Sequence, residues 1–378
     1  MTLIHKVEQQ GGFGMKNCLV NRHILGQQWT SEVGSYLDWS APHADALFAN
    51  PPCSGFSVMT DKRWRGVDAK VNHCMHVTME YAARVVPEIV VMESVRVAYS
   101  SGHSLMTKLR EELEEKSGHK YELYHVMQNA VELGGAAIRP RYFFVASQIP
   151  FGVEFPDVPR PVLDDVIGDL DGLGLTWEAQ PYRRPATWWS ENARSSSGVV
   201  DGHVTVKSPY VARSLDLLEM SGEWPNGWPI ARVAKKLYEE RGELPPSWSH
   251  LTERLVAKEF NMGFTTMVRW HGNRPARVIT GGAMQSVMHP HLPRSITHRE
   301  AARIMGFPDD WRIKPLKGTS GLAATWGKGI TTQCGKWIAT WVQNALDGNP
   351  GTLTGEEVGD REHLITASRV QARTLVRS

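Results

Sequence analysis

The chain has 378 residues with 42 Lys and Arg against 40 Asp and Glu, a formal net charge of +2, so it carries no uniform basic coat and any nucleic-acid contact must come from local clusters. A hydrophobic content of 41% and a charged content of 22% belong to a globular chain long enough for two domains. No run approaches the roughly 20 apolar residues of a membrane span, the start (Met1-Thr2-Leu3-Ile4-His5-Lys6) lacks the apolar region of a signal peptide, and four cysteines are too few for a disulfide framework, which together point to the reducing cytoplasm.

In chain order, Val7-Glu8-Gln9-Gln10-Gly11-Gly12-Phe13-Gly14 reads as a strand start running into a glycine turn. Backbone N–H groups of such a turn could face a cofactor, although a plain turn explains it as well. Residues 21–48 are compressed, with only Ile24-Leu25 and Trp29 to Val33 available for another element before the next strand. Ala46-Leu47-Phe48-Ala49 reads as a buried strand. It stops at Asn50-Pro51-Pro52, because proline donates nothing to a ladder and keeps its predecessor extended. Cys53 then sits at the strand's carboxyl end, where open α/β sheets bind ligands, followed by the small residues Ser54 and Gly55. Thr60 to Gly66 is too charged for a core and reads as a substrate-covering loop carrying Arg63, Trp64 and Arg65; an ordinary solvated loop is the alternative.

Val71 to Val86 has helical spacing and ends before Pro87. Ile89 to Met92 is a buried strand presenting Glu93 at its end. Leu105 to Leu113 is a helix with Lys108, Arg110, Glu111 and Glu112 on its wet face. Tyr121 to Met127 and Tyr142 to Ala146 are strands joined through Gly134 to Arg141. The alternation predicts an α/β fold with a mostly parallel sheet. His73-Cys74-Met75-His76 lacks a second ligand pair at plausible spacing, so no metal is expected there or elsewhere. After Ile149-Pro150 the chain turns rich in Pro, Gly, Trp and Arg, with helices expected at Ile230 to Arg241 and Leu251 to Phe260. A capped helix returns at Thr297 to Gly306, and Trp326 to Leu346 is a final helix. The expected organisation is a catalytic α/β domain over 1–149 and 283–346, an inserted, mostly irregular domain over 150–282, and a polar, loosely held tail over 347–378.

Cys53 and Glu93 fall at strand ends with one helix between them, which a right-handed crossover brings side by side. A thiolate with a carboxyl suits addition to an electron-poor ring. If the thiolate adds to carbon 6 of cytosine, carbon 5 of the resulting enamine can attack an electrophile, and a protonated carboxyl at ring nitrogen 3 relieves the charge. Arg139 and Arg141 could hold the base or a phosphate and favour the thiolate. Each residue has a plain reading too, as a small hydrophobe, a strand cap and surface charge. Their occurrence at successive strand ends favours the chemical one.

The run Pro51-Pro52-Cys53-Ser54-Gly55-Phe56-Ser57 resembles the Pro-Cys motif of DNA cytosine-5 methyltransferases. Met92-Glu93-Ser94-Val95 is similar to the family's Glu-Asn-Val motif with Ser94 for Asn, and Ile138-Arg139-Pro140-Arg141-Tyr142 to its Arg-x-Arg motif with Ala137 where Gln is usual. Arg294 to Pro308 resembles the motif that follows the family's target-recognition domain. The resemblance implies a Rossmann-like methyltransferase sheet with 150–282 as the target-recognition domain. It makes Cys53 the nucleophile, Glu93 the group at ring nitrogen 3, and Arg139 and Arg141 its supports. It further implies double-stranded DNA as partner, with a cytosine flipped out of the duplex, and places Ser54, Arg63, Trp64, Arg65, Arg183 and Arg184 as DNA contacts. A restriction or further DNA-modification system would be a natural companion.

The resemblance implies S-adenosylmethionine as cofactor, held by Gly11, Gly12, Phe13, Glu32, Asn50, Pro51, Gly327 and Lys328. Here the motifs diverge. Gln9 replaces the first glycine, the interval to Cys53 is short of a helix and a strand, and Gly327-Lys328-Gly329-Ile330 puts a lysine where Asn is usual. A same-scaffold enzyme with a different donor and a non-catalytic DNA-binding relative are the competing readings.

Overall fold

The computed structural model describes residues 5–8, 30–33, 44–57, 63, 65–170, 209–256, 267–279, 286–309, 311, 326–327 and 329–367. In chain order the elements are β1 (His5–Glu8), β2 (Thr30–Val33), β3 (Ala46–Ala49), α1 (His73–Val85), β4 (Ile89–Ser94), α2 (Val97–Ser117), β5 (Glu122–Asn129) and β6 (Pro140–Ser147). There follow α3 (Leu163–Ile167), α4 (Pro209–Ser221), α5 (Ile230–Arg241), α6 (Ser249–Val256), β7 (Val268–Arg269), β8 (Val287–Met288), α7 (His298–Ile304), α8 (Thr332–Leu346), β9 (Glu356–Gly359) and β10 (Glu362–Thr366). The chain divides into two compact units, one over 1–134, 139–159 and 332–378, the other over 135–138 and 160–331.

The first unit holds a six-stranded sheet in the order β3-β4-β6-β5-β10-β9. β3, β4, β5 and β10 run one way; β6 lies antiparallel between β4 and β5, and β9 antiparallel to β10. The expected parallel direction therefore holds for four strands, interrupted by one reversed strand. Side chains alternate across each strand, and one face carries Val90, Met92, Tyr142, Phe144 and Ala146 against Met75 and Met79 of α1 and Leu105, Met106, Leu109 and Leu113 of α2. α2 starts eight residues before the apolar run that predicts it because Gly102, non-helical at φ −126°, is used for close packing: a Cβ there would lie 2.6 Å from the Phe56 ring. In the compressed interval β2 pairs in parallel with β1, so a strand is present where Trp29 to Val33 offered one.

Three expectations are corrected. β3 is half-buried at the end of the sheet order, with Phe48 40% exposed. Arg110 is buried rather than wet, because its guanidinium donates to the Asp360 and Arg361 carbonyls at 2.5 and 3.4 Å. The polar tail, expected to hang loosely, supplies β9 and β10. Backbone pairing with β5 does not require an apolar sequence, and Ile365 alone anchors the last strand fully in the core.

The second unit contains more helix than its composition announces. α5 forms over the residues its spacing predicts and packs Ile230, Val233, Ala234 and Leu237 with Trp224 and Trp248. The two indoles donate to the Trp228 and Arg213 carbonyls, each at 2.8 Å, which lets large amphipathic rings fill the core. α7 opens on a capping box in which Glu300 N–H donates to Thr297 Oγ1 at 3.1 Å and Thr297 N–H to Glu300 Oε2 at 2.8 Å. Trp326 joins this unit's core, so the last helix begins only at Thr332.

Candidate active site

The parallel register of β3 and β4 sets Ala49 beside Met92, so Asn50, which follows β3, and Glu93, next to last in β4, stand at the same end of the sheet. Pro51 is buried and Pro52 exposed as the chain leaves the sheet. Cys53 opens a tight turn in which Phe56 N–H donates to its carbonyl at 3.0 Å. The turn is held from below. Phe56 is buried in the core under Gly102, Gly66 N–H donates to Gly55 O at 2.9 Å, and a Cβ on Gly55 would lie 2.2 Å from Asn72 Oδ1. Asn72 in turn donates to the Gly66 and Val67 carbonyls at 2.9 and 2.8 Å. The Pro-Cys segment is thus clamped at its base while Ser54 at its crest is exposed.

Glu93 is buried, and Arg141 Nε lies 2.7 Å from its Oε1. β6 brings Arg141 there because it runs antiparallel to β4, pairing Phe143 with Glu93 and Tyr142 with Ser94. Arg139 is fully buried; its backbone N–H donates to Asn129 Oδ1 at 3.0 Å, which fixes the entry into β6.

The electrostatics bind these residues into one group. Burial pushes the Cys53 thiol up, the Glu93 carboxylate pushes it further, and Arg141 together with a backbone hydrogen bond from Val95 pulls it back. Burial raises the Glu93 carboxyl above the usual range against the pull of Arg141 and Arg139. Burial and the neighbouring Arg141 bring the Arg139 guanidinium down to about 9, partly offset by Glu93, Cys334 and Cys53, so it stays cationic at neutral pH. The four residues form a thiol, a carboxyl raised by burial and two cations, a set able to add a nucleophile to a ring while protonating it.

The remaining expected residues are less gathered. Arg63 is exposed and Arg65 half-buried. Glu32 lies on β2, opposite Val7. Gly327 belongs to the second unit. Gly11, Gly12, Phe13, Trp64, Arg183, Arg184 and Lys328 lie outside the described residues. Lys235 and Lys236 on α5 pair with Glu239 at 3.7 Å and with Glu223 and Glu240, as an ordinary solvated helix face does. Gln128 is a candidate that sequence reasoning missed. It is buried in register with Arg141, and neither atom of its amide has a hydrogen-bond partner among the described residues. A glutamine next to Asn129, at the end of the strand that pairs with the Arg-x-Arg segment, was the available signal.

The motif over Arg294 to Pro308 turns out to be structural. Arg294 grips Glu300 in two bonds of 2.9 and 2.6 Å, and Arg299 donates to the Pro308 and Trp311 carbonyls at 3.0 and 2.7 Å. Arg303 clasps Asp309 at 2.8 and 2.6 Å. These arginines hold the loop after α7 against the helix.

The family model of the C-5 cytosine-specific DNA methylases matches residues 28–344. The chain is 25% identical to the Type II methyltransferase M.DdeI of Desulfomicrobium norvegicum over 79% of its own length and 71% of that protein's. It is 23% identical to DNA (cytosine-5)-methyltransferase 2 of Arabidopsis thaliana over 71% of this chain and 20% of that one. Among solved structures, a DNA modification methyltransferase from an E. coli prophage superposes with a TM-score of 0.52 at 17% identity, covering 89% of this chain and 86% of the other. The Entamoeba histolytica methyltransferase EhMeth does so with a TM-score of 0.50 at 10% identity, covering 92% and 99%. Both carry the same methyltransferase fold, and no described helix is long and apolar enough to cross a membrane. With the family model spanning most of its length, the chain belongs to the C-5 cytosine-specific DNA methylase family.

Proposed function

We propose that this chain methylates carbon 5 of cytosine in duplex DNA, with Cys53 as nucleophile, Glu93 as proton donor and Arg139 and Arg141 as its electrostatic supports. The observation that carries the reading is the convergence of the thiol and the raised carboxyl, joined by an Arg141 Nε 2.7 Å from Glu93 Oε1. The cytosine must first leave the stack, since carbon 6 is not accessible within it, and the exposed Ser54 and Arg63 and the half-buried Arg65 are the described residues offered to the strand. Cys53 then adds as thiolate to carbon 6 while Glu93, protonated at higher pH than an ordinary carboxyl, gives its proton to ring nitrogen 3. Arg141 holds the carboxylate that remains. Once carbon 5 carries the methyl group its proton leaves to water, Cys53 is expelled as thiolate, and ring nitrogen 3 returns its proton to the Glu93 carboxylate, which restores the ring.

S-adenosylmethionine would supply the electrophilic methyl group. The residues fit it in one respect: β1 and β2 pair in parallel, Val7 beside Glu32 and Glu8 beside Val33, which sets Glu32 near the carboxyl end of β2 and at the end where β1 also finishes. That is where this class of sheet holds a ribose and an anionic or charged tail. Asn50 and Pro51, just beyond β3 of the six-stranded sheet, would be its further contacts. The departures at Gln9 and Lys328 leave a second reading, in which Lys328 pairs with an anionic group on a different donor. The name Type II methyltransferase borne by relatives supports a cytoplasmic partnership with a restriction enzyme.

The test is to incubate the protein with cytosine-containing duplex and S-adenosylmethionine, digest, and weigh the nucleosides. 5-Methyldeoxycytidine from wild type and none from Cys53→Ala is expected. A heavier product formed only with cell extract would favour the second donor. Product surviving in Cys53→Ala, or tight DNA binding with neither product nor S-adenosylmethionine binding, would refute the proposal.

A further inference from the structure

Three side chains from distant parts of the first unit converge away from Cys53: His103 of α2, His125 of β5 and Glu362 of β10. Each offers one ligand atom, and the three atoms lie within 4.8 Å of one another. His103 Nε2 is 3.1 Å and His125 Nε2 3.4 Å from the same oxygen, Glu362 Oε2. Two ligands each about 2.0 Å from a tetrahedral zinc ion stand about 3.3 Å apart, so these spacings are those of ligands around one ion.

The outer partners are also in place. His125 Nδ1 lies 2.8 Å from the Tyr142 hydroxyl, which leaves Nε2 as the atom turned toward the cluster. The second carboxylate oxygen, Glu362 Oε1, faces Arg110 Nη1 at 3.7 Å, so Oε2 is the one left for a ligand role. Metal-binding imidazoles and carboxylates are oriented by such contacts on their far atoms. His125 and Glu362 are buried and the His103 side chain is 40% exposed, which gives an ion an entry path and an open fourth position. Two imidazoles and one carboxylate make a nitrogen–oxygen set suited to zinc and its neighbours in the transition series.

We propose that His103, His125 and Glu362 bind one zinc ion that pins the carboxyl-terminal strand β10 to β5 and α2. The sequence hides the site because Glu362 follows His125 by 237 positions, so no motif spacing exists to read. The plain alternative is a hydrogen-bonded histidine–carboxylate network with no ion. Metal-stripped full-length protein should take up one equivalent of Co²⁺, giving the visible bands of tetrahedral cobalt without a thiolate charge-transfer band. Zn²⁺ should displace it and raise Tm. His103→Ala, at the half-exposed position, should lose both the spectrum and the Tm shift with its circular dichroism unchanged, and Glu362→Gln should do the same. The proposal is overturned if folded wild type takes up no metal, if the cobalt spectrum is that of thiolate ligation, or if both variants bind as wild type does.

Discussion

Two glutamate–arginine pairs in this chain use the same chemistry for opposite ends. In the second unit Glu300 is saturated: both oxygens meet Arg294, and Oε2 also takes the Thr297 backbone N–H. In the first unit Glu93 has Arg141 Nε at 2.7 Å, its carboxyl is raised by burial, and it is electrostatically coupled to the Cys53 thiol. A buried carboxylate held by a bidentate arginine and a backbone N–H serves to hold a loop. One that burial raises, beside a nucleophile, can exchange a proton with a ring that docks against it. The lesson is that burial of a charged pair does not identify a site; a raised carboxyl coupled to a nucleophile does.

The comparison can be broken by exchange of roles. Glu93→Gln should lower the methyl-transfer rate by about 10²- to 10⁴-fold with urea unfolding nearly unchanged, since it removes the donated proton and keeps the shape. A variant that unfolds early but turns over normally would place Glu93 with Glu300. Arg294→Met should do the reverse and cost about 3–5 kcal/mol in urea denaturation, because Glu300 is left buried and uncompensated. Thr297→Ala removes the cap bond to Glu300 N–H and should cost about 1 kcal/mol in the same measurement.

The smallest effect tests the coupling at Cys53. Its thiol is raised partly by the Glu93 charge and lowered by Arg141. Because the Glu93 charge raises the thiol, Glu93→Gln should shift the alkylation profile of the Cys53 peptide to lower pH. Arg141→Met should shift it to higher pH. Profiles that do not move would mean that burial alone sets the thiol and that the residues are not one electrostatic group.

Much of the site was legible in the chain. Cys53, Glu93, Arg139 and Arg141 each follow or begin a strand whose apolar run is plain in the sequence, and strand ends are where local pattern predicts position best. Arg110 and the tail were misread for one reason. Their partners, the carbonyls of Asp360 and Arg361 and the β5 ladder, are backbone groups contributed from far along the chain.

The sequence by itself determined which strands form, where they stop, and which reactive residues stand at their ends, because side-chain period and proline act over a few residues. Only the tertiary structure decided which of the charged residues are poised and which are sealed. It also set β6 in reverse between β4 and β5, which carries Arg141 to Glu93, and closed β10 over His103 and His125. Those outcomes depend on pairing between residues tens to hundreds of positions apart, and no local pattern encodes such a pairing.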